Sequence, residues 1–470
     1  MSSFHPLNLR SRLGFDTHRQ WWLLAGTAAA IGLFSYALTV SDLLIPLRIV
    51  IPIQKSWYPL FGLTSLVLFL IGSMMVSYTR LVSYPVYWFS IFFITRFAVA
   101  SVYPWLNQFD DERGFYNTAI AQSEDRFFVI GQQLSMYFFW VTSWFEERNF
   151  LITRTLPMFL GSILPFLFVS SFQRATDAAS KDRTLVFQTL AWLPPLFTLS
   201  IVADKTIPSL VGMSLAIWAG ATWYKNRWQA VMALVSAIIV LLGFRGEVIA
   251  LLPLVIFAPI WAMEFLWFFR TNSRRGKIVF CIVGLCILLL VLVMGYYAYN
   301  AYLDRIAGAG HAIRFRGDQS TIKQYLEISD GFSFTFKNVL LLMGRGFISP
   351  PPFKVFERLT HTNLHETFVM LTWIGLLPVS LIGVFAGRIR RDLSHGLGLS
   401  VIAIVAMASL SPHLGGDLVR HRVIAFAPLL MLAFGAMDGR SIFRFRYVIV
   451  VWWLTMIAFW GFWGHAKGLW

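Results

Sequence analysis

The chain has 470 residues, of which 57% are hydrophobic and only 13% are charged, and its mean hydropathy is +0.66. This composition excludes a soluble globular domain, which needs far more polar surface. The net charge is +16, but no basic stretch is interleaved with aromatic residues. We therefore interpret the excess as basic loops that set topology and touch anionic headgroups, and we expect no nucleic-acid partner.

Apolar runs long enough to cross a hydrocarbon layer of roughly 30 Å recur along the chain. Lipid cannot satisfy open backbone groups, and the alternating pattern of a barrel is absent, so the spans are predicted to be helices. We predict an all-α polytopic integral membrane protein, one domain over residues 1–470 with about 13 transmembrane helices (about 12 to 14). The predicted spans lie near 21–40, 59–78, 83–101, 150–171, 185–203, 207–223, 229–243, 248–268, 278–301, 366–386, 396–411, 423–437 and 447–465.

The orientation follows from where the basic residues lie. The first apolar run follows a polar, basic segment without a small-residue cleavage site, which indicates an uncleaved first span. Lys and Arg are concentrated on the ends that are cytoplasmic when the N-terminus is inside. The stretch 126–145 carries Gln132 and Gln133 among many aromatic residues, so we predict an interfacial helix there, because another span would invert the topology.

Two long loops then lie on the outer side, at 102–149, which holds the interfacial helix, and at 302–365. Loops of this length commonly carry function. The first contains Asp110 and Asp111, which could act as a general base on an acceptor hydroxyl or help to hold a divalent cation. An acidic loop in contact with solvent is the simpler alternative.

Charges also interrupt apolar runs. Arg245 and Glu247 stand in LLGFRGEVIALLPLV, and Arg96 stands in FFITRFAVAS. Ionisable groups at membrane depth are costly and usually face a cavity or a partner. An internal ion pair, or a tight outer turn at Gly246, is the structural alternative for the first pair.

A third group follows LLMGRGFISPP, where Arg345 stands between two glycines, and continues into a span with His361, Asn363, His365 and Glu366. Histidine can exchange a proton near neutral pH, which suits a base. The order is HxxxHE and not HExxH, so we predict no metal site. Helix capping by these polar residues is the alternative.

The fourth group, in SPHLGGDLVRHRVIAFAPLL, contains Arg420, His421 and Arg422. Arginine forks bind phosphate oxygens in bidentate fashion, whereas a role in topology is the alternative. Arg245, Arg345 and this group all lie on one predicted side of the membrane. Such a cluster needs an anionic partner, and a lipid-linked phosphate or pyrophosphate is the natural candidate.

Two of these stretches resemble a family. FRGEVIALL, and GRGF followed by HTNLHE and by Gly-Leu-Leu at 375–377, resemble segments of the bacterial O-antigen polymerases and O-antigen ligases over about 235–387. The resemblance implies that Arg245 and Arg345 bind polyprenyl pyrophosphate and that His361 or His365 is the base. It also implies the bacterial inner membrane, with the active site facing the periplasm, and a chain-length regulator as a possible partner.

The first outer loop resembles instead the GT-C glycosyltransferases that use polyprenyl-phosphate sugars, in which an acidic residue, here Asp110 or Asp111, is catalytic. A divalent cation belongs to this alternative, and the polymerase reading requires no cofactor. The expected function is joining of undecaprenyl-pyrophosphate-linked oligosaccharide units on the periplasmic face, for O-antigen, capsule or exopolysaccharide. A GT-C transferase and a non-enzymatic lipid-linked glycan transporter are the alternatives.

Overall fold

The computed structural model describes residues 17–40, 54–79, 81–82, 84–106, 116–119, 128–144, 149–176, 180–271, 347, 361–410, 422–437 and 440–466. Helices account for the regular structure of these residues, which contain no strand. The main helices are α1 (Thr17–Val40), α2 (Trp57–Ser77), α3 (Pro85–Leu106), α4 (Gln133–Trp144), α5 (Thr155–Thr176), α6 (Ser180–Trp192), α7 (Pro194–Ser200), α8 (Thr206–Thr222), α9 (Arg227–Arg245), α10 (Glu247–Ala250), α11 (Leu252–Thr271), α12 (His361–Ala386), α13 (Arg391–Leu410), α14 (Phe426–Ala436) and α15 (Arg440–Ala466).

Eight segments in the described part of the chain are helical, long and apolar enough to cross a membrane, by length and composition. They are Trp22–Val40, Trp57–Ser77, Pro85–Val102, Phe150–Thr176, Arg227–Arg245, Leu252–Phe269, Leu364–Phe385 and Phe445–Phe462. These match eight of the predicted spans, and the chain is a helical membrane protein by this criterion.

The other predicted spans differ. Two fall on shorter apolar helices, α8 and α14, and the span 396–411 overlaps α13. The span 278–301 lies outside the described residues. The predicted continuous span 185–203 is wrong, because the chain forms α6 and α7 with a break between them. The break coincides with Pro194 and Pro195, whose missing N–H groups cannot continue the helical hydrogen bonds.

The helix α5 lies at the centre of the fold, against α2, α3, α6, α7 and α8. Aromatic rings fill the space between α2 and α3: Phe61 stacks on Phe97 with ring centroids 5.2 Å apart, and Phe69 on Phe89 at 5.9 Å. The helices α12 and α14 also pack closely against each other. A Cβ at Gly383 of α12 would lie 2.1 Å from the Leu432 carbonyl oxygen of α14. The glycine therefore permits close backbone approach, as small residues do between membrane helices.

The predicted interfacial stretch 126–145 contains α4, which has 12 residues. At 1.5 Å per residue such a helix rises about 18 Å, short of the roughly 30 Å of a hydrocarbon core. Its length supports the interpretation that 126–145 does not span, and its position at a membrane surface stays a prediction.

Candidate functional site

The break after α6 creates the segment around which the candidate site is built. We call residues 194–206 the bridging segment; it comprises α7, an irregular buried stretch, and the start of α8. The Asp204 carboxylate accepts a hydrogen bond from the backbone N–H of Thr206 at 2.5 Å, which satisfies one free donor at the start of α8. Irregular backbone is tolerated in a membrane protein where protein buries it.

Arg96, from the middle of α3, holds the bridging segment to α6. It is 1% exposed, and its guanidinium donates to Ser200 Oγ at 2.8 Å and to the carbonyl oxygens of Phe92 at 3.2 Å and Ala191 at 2.9 Å. In an unbroken helix the Ala191 carbonyl would accept from residue 195, which is Pro195 and has no N–H. Arg96 therefore supplies the donor that the break removes.

Arg245, the last residue of α9, reaches the other end of the bridging segment. Its guanidinium hydrogen-bonds the Thr206 hydroxyl and lies 4.0 Å from the Asp204 carboxylate, with the two side chains 6% and 1% exposed. Gly246 ends the helix with φ +93°, a conformation that glycine adopts without steric cost. The turn that it makes lets the arginine lie against α8.

His365, in the first turns of α12, contacts the centre of the bridging segment. Its Nδ1 lies 2.9 Å from Thr198 Oγ1, and the residue is 2% exposed, with its neighbour Glu366 at 6%. Buried ionisable groups are costly, and they are common at functional sites. An imidazole and a guanidinium thus both contact the bridging segment.

Arg422, which lies shortly before α14 in the chain, contacts α12 further along that helix than His365. It is fully buried; its Nη1 is 2.6 Å from Met370 Sδ, and its guanidinium lies 5.7 Å from the centroid of the Trp373 ring. Met370 lies one helical turn after Glu366 on α12, so the residue that contacts Arg422 and Glu366 are on the same side of that helix. The Trp373 indole donates to the Phe347 carbonyl oxygen at 3.0 Å, which brings the end of GRGF to the same place.

The segment just before and at the start of α4, within the stretch 102–149 that was predicted to lie outside, packs against the Arg245 turn. The backbone N–H of Gly131 donates to the Leu242 carbonyl at 3.0 Å. Leu134 of α4, Ala203 of the bridging segment and Phe244 form one buried apolar cluster. Residues 131–134 are therefore anchored at the same end of α9 as Arg245.

Two neighbouring polar residues tie α4 to α5. Tyr137 Oη lies 2.7 Å from Thr155 Oγ1. Burial raises the pKa of Tyr137 to about 12, although the hydrogen bond to Thr155 acts in the opposite direction. Arg154, directly before Thr155, is fully buried and donates to the Ala100 carbonyl at 3.3 Å, so this arginine ties the chain at the start of α5 to α3.

No family model, curated protein or solved structure matches the chain. The site is therefore interpreted from its own residues.

Several predicted site residues fall outside the described part of the chain, namely Asp110, Asp111, Arg345, Arg420 and His421. The side chains of His361, Asn363 and Glu247 lie outside it as well, although their backbones are helical. Among the described residues, no group of three or more His, Cys, Asp and Glu could hold a metal ion.

Sequence reasoning missed the partners that organise the site: Thr198, Ser200, Asp204, Thr206 and the buried Arg154. The signal that could have found the first four is the run PPLFTLSIVADKT, in which two prolines precede five polar residues, Lys205 included, inside an apolar stretch. Proline breaks the helix, and hydroxyl and carboxyl side chains compensate the freed backbone groups. Chemically, the arrangement offers an imidazole for proton transfer and an arginine for an anion.

Proposed function

We propose that the chain is a membrane glycosyltransferase that joins undecaprenyl-pyrophosphate-linked oligosaccharide units into a polysaccharide on the periplasmic face of a bacterial inner membrane. The observation that carries the proposal is the attachment of His365 and Arg245 to the same bridging segment. The reaction needs a base for a sugar hydroxyl and a cation for a leaving pyrophosphate, and these are the residues suited to the two tasks.

In the proposed reaction His365 accepts the proton of an acceptor hydroxyl. The oxygen attacks the anomeric carbon of the lipid-linked glycan and forms the new glycosidic bond. The bond between that carbon and the pyrophosphate oxygen breaks, and undecaprenyl pyrophosphate leaves with the electron pair. Arg245 stabilises the charge that develops on the leaving group, and Arg422, Arg345 and Arg420 are the further arginines that we propose to bind the phosphates.

The proposed topology has about 13 spans, a cytoplasmic N-terminus and both long loops on the periplasmic side. A polymerase of this kind would work on a lipid-linked oligosaccharide within the bilayer, and a chain-length regulator is the proposed protein partner. Neither a cofactor nor a metal has a role in this reaction, since arginine carries the charge on the leaving group.

Gene deletion tests the proposal, with surface and secreted glycan resolved on gels and complementation by variants. Loss of long chains while single repeat units persist is expected, with rescue by wild type and without rescue by Arg245→Lys or His365→Gln. Arg227→Lys is the matched control, because Arg227 lies at the opposite end of α9, exposed and paired with Glu264 at 2.7 Å. Full rescue by both Arg245→Lys and His365→Gln would refute the roles assigned here.

The same experiment separates the GT-C alternative. That reading predicts a glycan that lacks one sugar and otherwise reaches full length, with Asp111→Asn inactive and His365→Gln active.

A lipid-linked glycan transporter is another candidate, because the helix is broken between α6 and α7. Transporters also contain discontinuous helices, and the ends of these helices bind ions or substrates. Purified protein in liposomes with a fluorescent lipid-linked glycan distinguishes the two. Movement of the lipid between leaflets without glycan elongation would favour transport, and elongation in detergent, where no leaflets exist, would favour the transferase.

A further inference from the structure

The hydroxyl of Thr198 determines which ring nitrogen of His365 carries the hydrogen. Thr198 Oγ1 lies 2.9 Å from the Pro194 carbonyl oxygen and 3.1 Å from that of Pro195. A carbonyl oxygen only accepts, and a hydroxyl has one hydrogen to donate. The hydroxyl hydrogen is therefore directed back along α7, toward these two oxygens.

The consequence for His365 concerns its second contact partner. Thr198 Oγ1 also lies 2.9 Å from His365 Nδ1. With its only hydrogen donated elsewhere, the Thr198 oxygen must accept, so Nδ1 must carry the hydrogen. In neutral imidazole one nitrogen donates and the other has a lone pair, so Nε2 is the basic nitrogen.

The helix that presents Thr198 is itself held in place. Ser200 donates to the Phe197 carbonyl at 2.7 Å and accepts from Arg96 Nε at 2.8 Å. The guanidinium of Arg96 also lies 5.2 Å from the Phe197 ring centroid. The two hydroxyl residues of α7 thus have different contacts: Ser200 connects the helix to Arg96, and Thr198 contacts the imidazole of His365.

We propose that Thr198 is a positioning residue, which fixes His365 as the Nδ1–H tautomer and directs the lone pair of Nε2 to the acceptor hydroxyl. The catalytic consequence rests on the proposed function, whereas the tautomer does not. A residue on the opposite side of an imidazole commonly sets its orientation and tautomer in this way, usually a carboxylate or a carbonyl. Here a threonine does so, because its own proton is already donated to the backbone.

Nuclear magnetic resonance of the full-length protein in lipid nanodiscs tests the tautomer directly. The protein is labelled with ¹⁵N,¹³C-histidine, and the His365 signals are assigned by their loss in His365→Gln. Correlation of each ring nitrogen with its bonded carbons separates Nδ1 from Nε2. The expected result is a protonated Nδ1 and an unprotonated Nε2 at neutral pH. A protonated Nε2, either alone or together with a protonated Nδ1, would overturn the proposal.

Variants show whether Thr198 is the cause. Thr198→Val removes the acceptor and keeps the shape, so the ratio of the Nδ1–H to the Nε2–H tautomer should fall by roughly 2- to 10-fold, the range for one neutral hydrogen bond. Thr198→Ser keeps the oxygen and should preserve it. Thr189→Val is the matched control, because Thr189 on α6 makes the same kind of bond, to the Leu185 carbonyl at 2.9 Å. An unchanged tautomer in Thr198→Val would refute the role of Thr198.

Glycan elongation by the same variants gives the second measurement. Thr198→Val should lower kcat by roughly 2- to 10-fold with KM nearly unchanged, and Thr198→Ser should restore it. Wild type that shows the Nδ1–H tautomer but elongates no glycan would refute the proposed function and leave the tautomer assignment standing. Active wild type with the opposite tautomer would do the reverse.

Discussion

Gly161→Ala is expected to disturb the candidate site from the helix behind it. A Cβ at Gly161 would lie 2.4 Å from Ser200 Cβ and 3.4 Å from Arg96 Nε, whereas carbon atoms rest at about 3.5–4.0 Å. Overpacking costs about 1–3 kcal/mol, and the upper half applies because Cβ is fixed to its backbone. Replacing a helical glycine by alanine returns roughly 1 kcal/mol. The net destabilisation is therefore about 1–2 kcal/mol.

The assay is the apparent Tm of the detergent-purified protein, where a drop of about 1–2 °C is expected, because the entropy of unfolding scales with chain length. Gly375→Ala is the matched control: it lies in α12, and a Cβ there meets nothing within 4 Å. It should leave the Tm unchanged or raise it. Adding Ser200→Gly to Gly161→Ala removes the clash and should recover part of the loss. A Gly161→Ala protein as stable as the Gly375→Ala protein would refute the close approach of α5 to α7.

Three further predictions use the same assay. Asp204→Asn should cost up to about 3 kcal/mol, because it leaves the buried charge of Arg245 less compensated; equal stability would contradict the pairing. Arg96→Lys should cost roughly 2–3 kcal/mol, since an ammonium cannot reproduce the forked contacts. Stability should fall as pH rises from 10 toward 12, because folded Tyr137, with its pKa raised to about 12 by burial, keeps a proton that the unfolded chain loses. Tyr137→Phe should reduce that fall, and an unchanged pH profile would show that Tyr137 does not titrate as described.

The sequence predicted the long apolar helices well, because hydropathy over a span is a local property. The span 229–243 became Arg227–Arg245, and 366–386 became His361–Ala386, with ends extended by polar residues that hydropathy leaves out. The break inside 185–203 was missed because hydropathy is averaged over a span, and the apolar side chains on both sides of Pro194 and Pro195 keep that average high.

The candidate site was predicted only in part. Arg96 and Arg245 were singled out because charge is rare in apolar runs. His365 was singled out because histidine exchanges protons near neutral pH, and Arg422 because arginine binds phosphate. All four side chains are buried in the structure, and their roles stay predictions. Their partners could not be predicted, since contacts such as that between His365 and Thr198 join positions far apart in sequence. Such contacts depend on how helices pack, which no local pattern records.

The two arginines that contact the bridging segment, Arg96 and Arg245, differ in how they could bind an anion. Arg96 donates to a carbonyl that Pro195 leaves without its helical donor, so its contacts belong to the fold. Arg245 instead contacts a hydroxyl and a carboxylate, both of which are side chains. A phosphate that approaches Arg245 must therefore compete with Asp204, whose negative charge opposes its arrival. Asp204 also accepts a hydrogen bond from the first turn of α8. If Arg245 moved from Asp204 to a phosphate, the carboxylate would keep this backbone partner. The free-energy cost of replacing the Asp204 carboxylate by a phosphate at Arg245 is therefore lower.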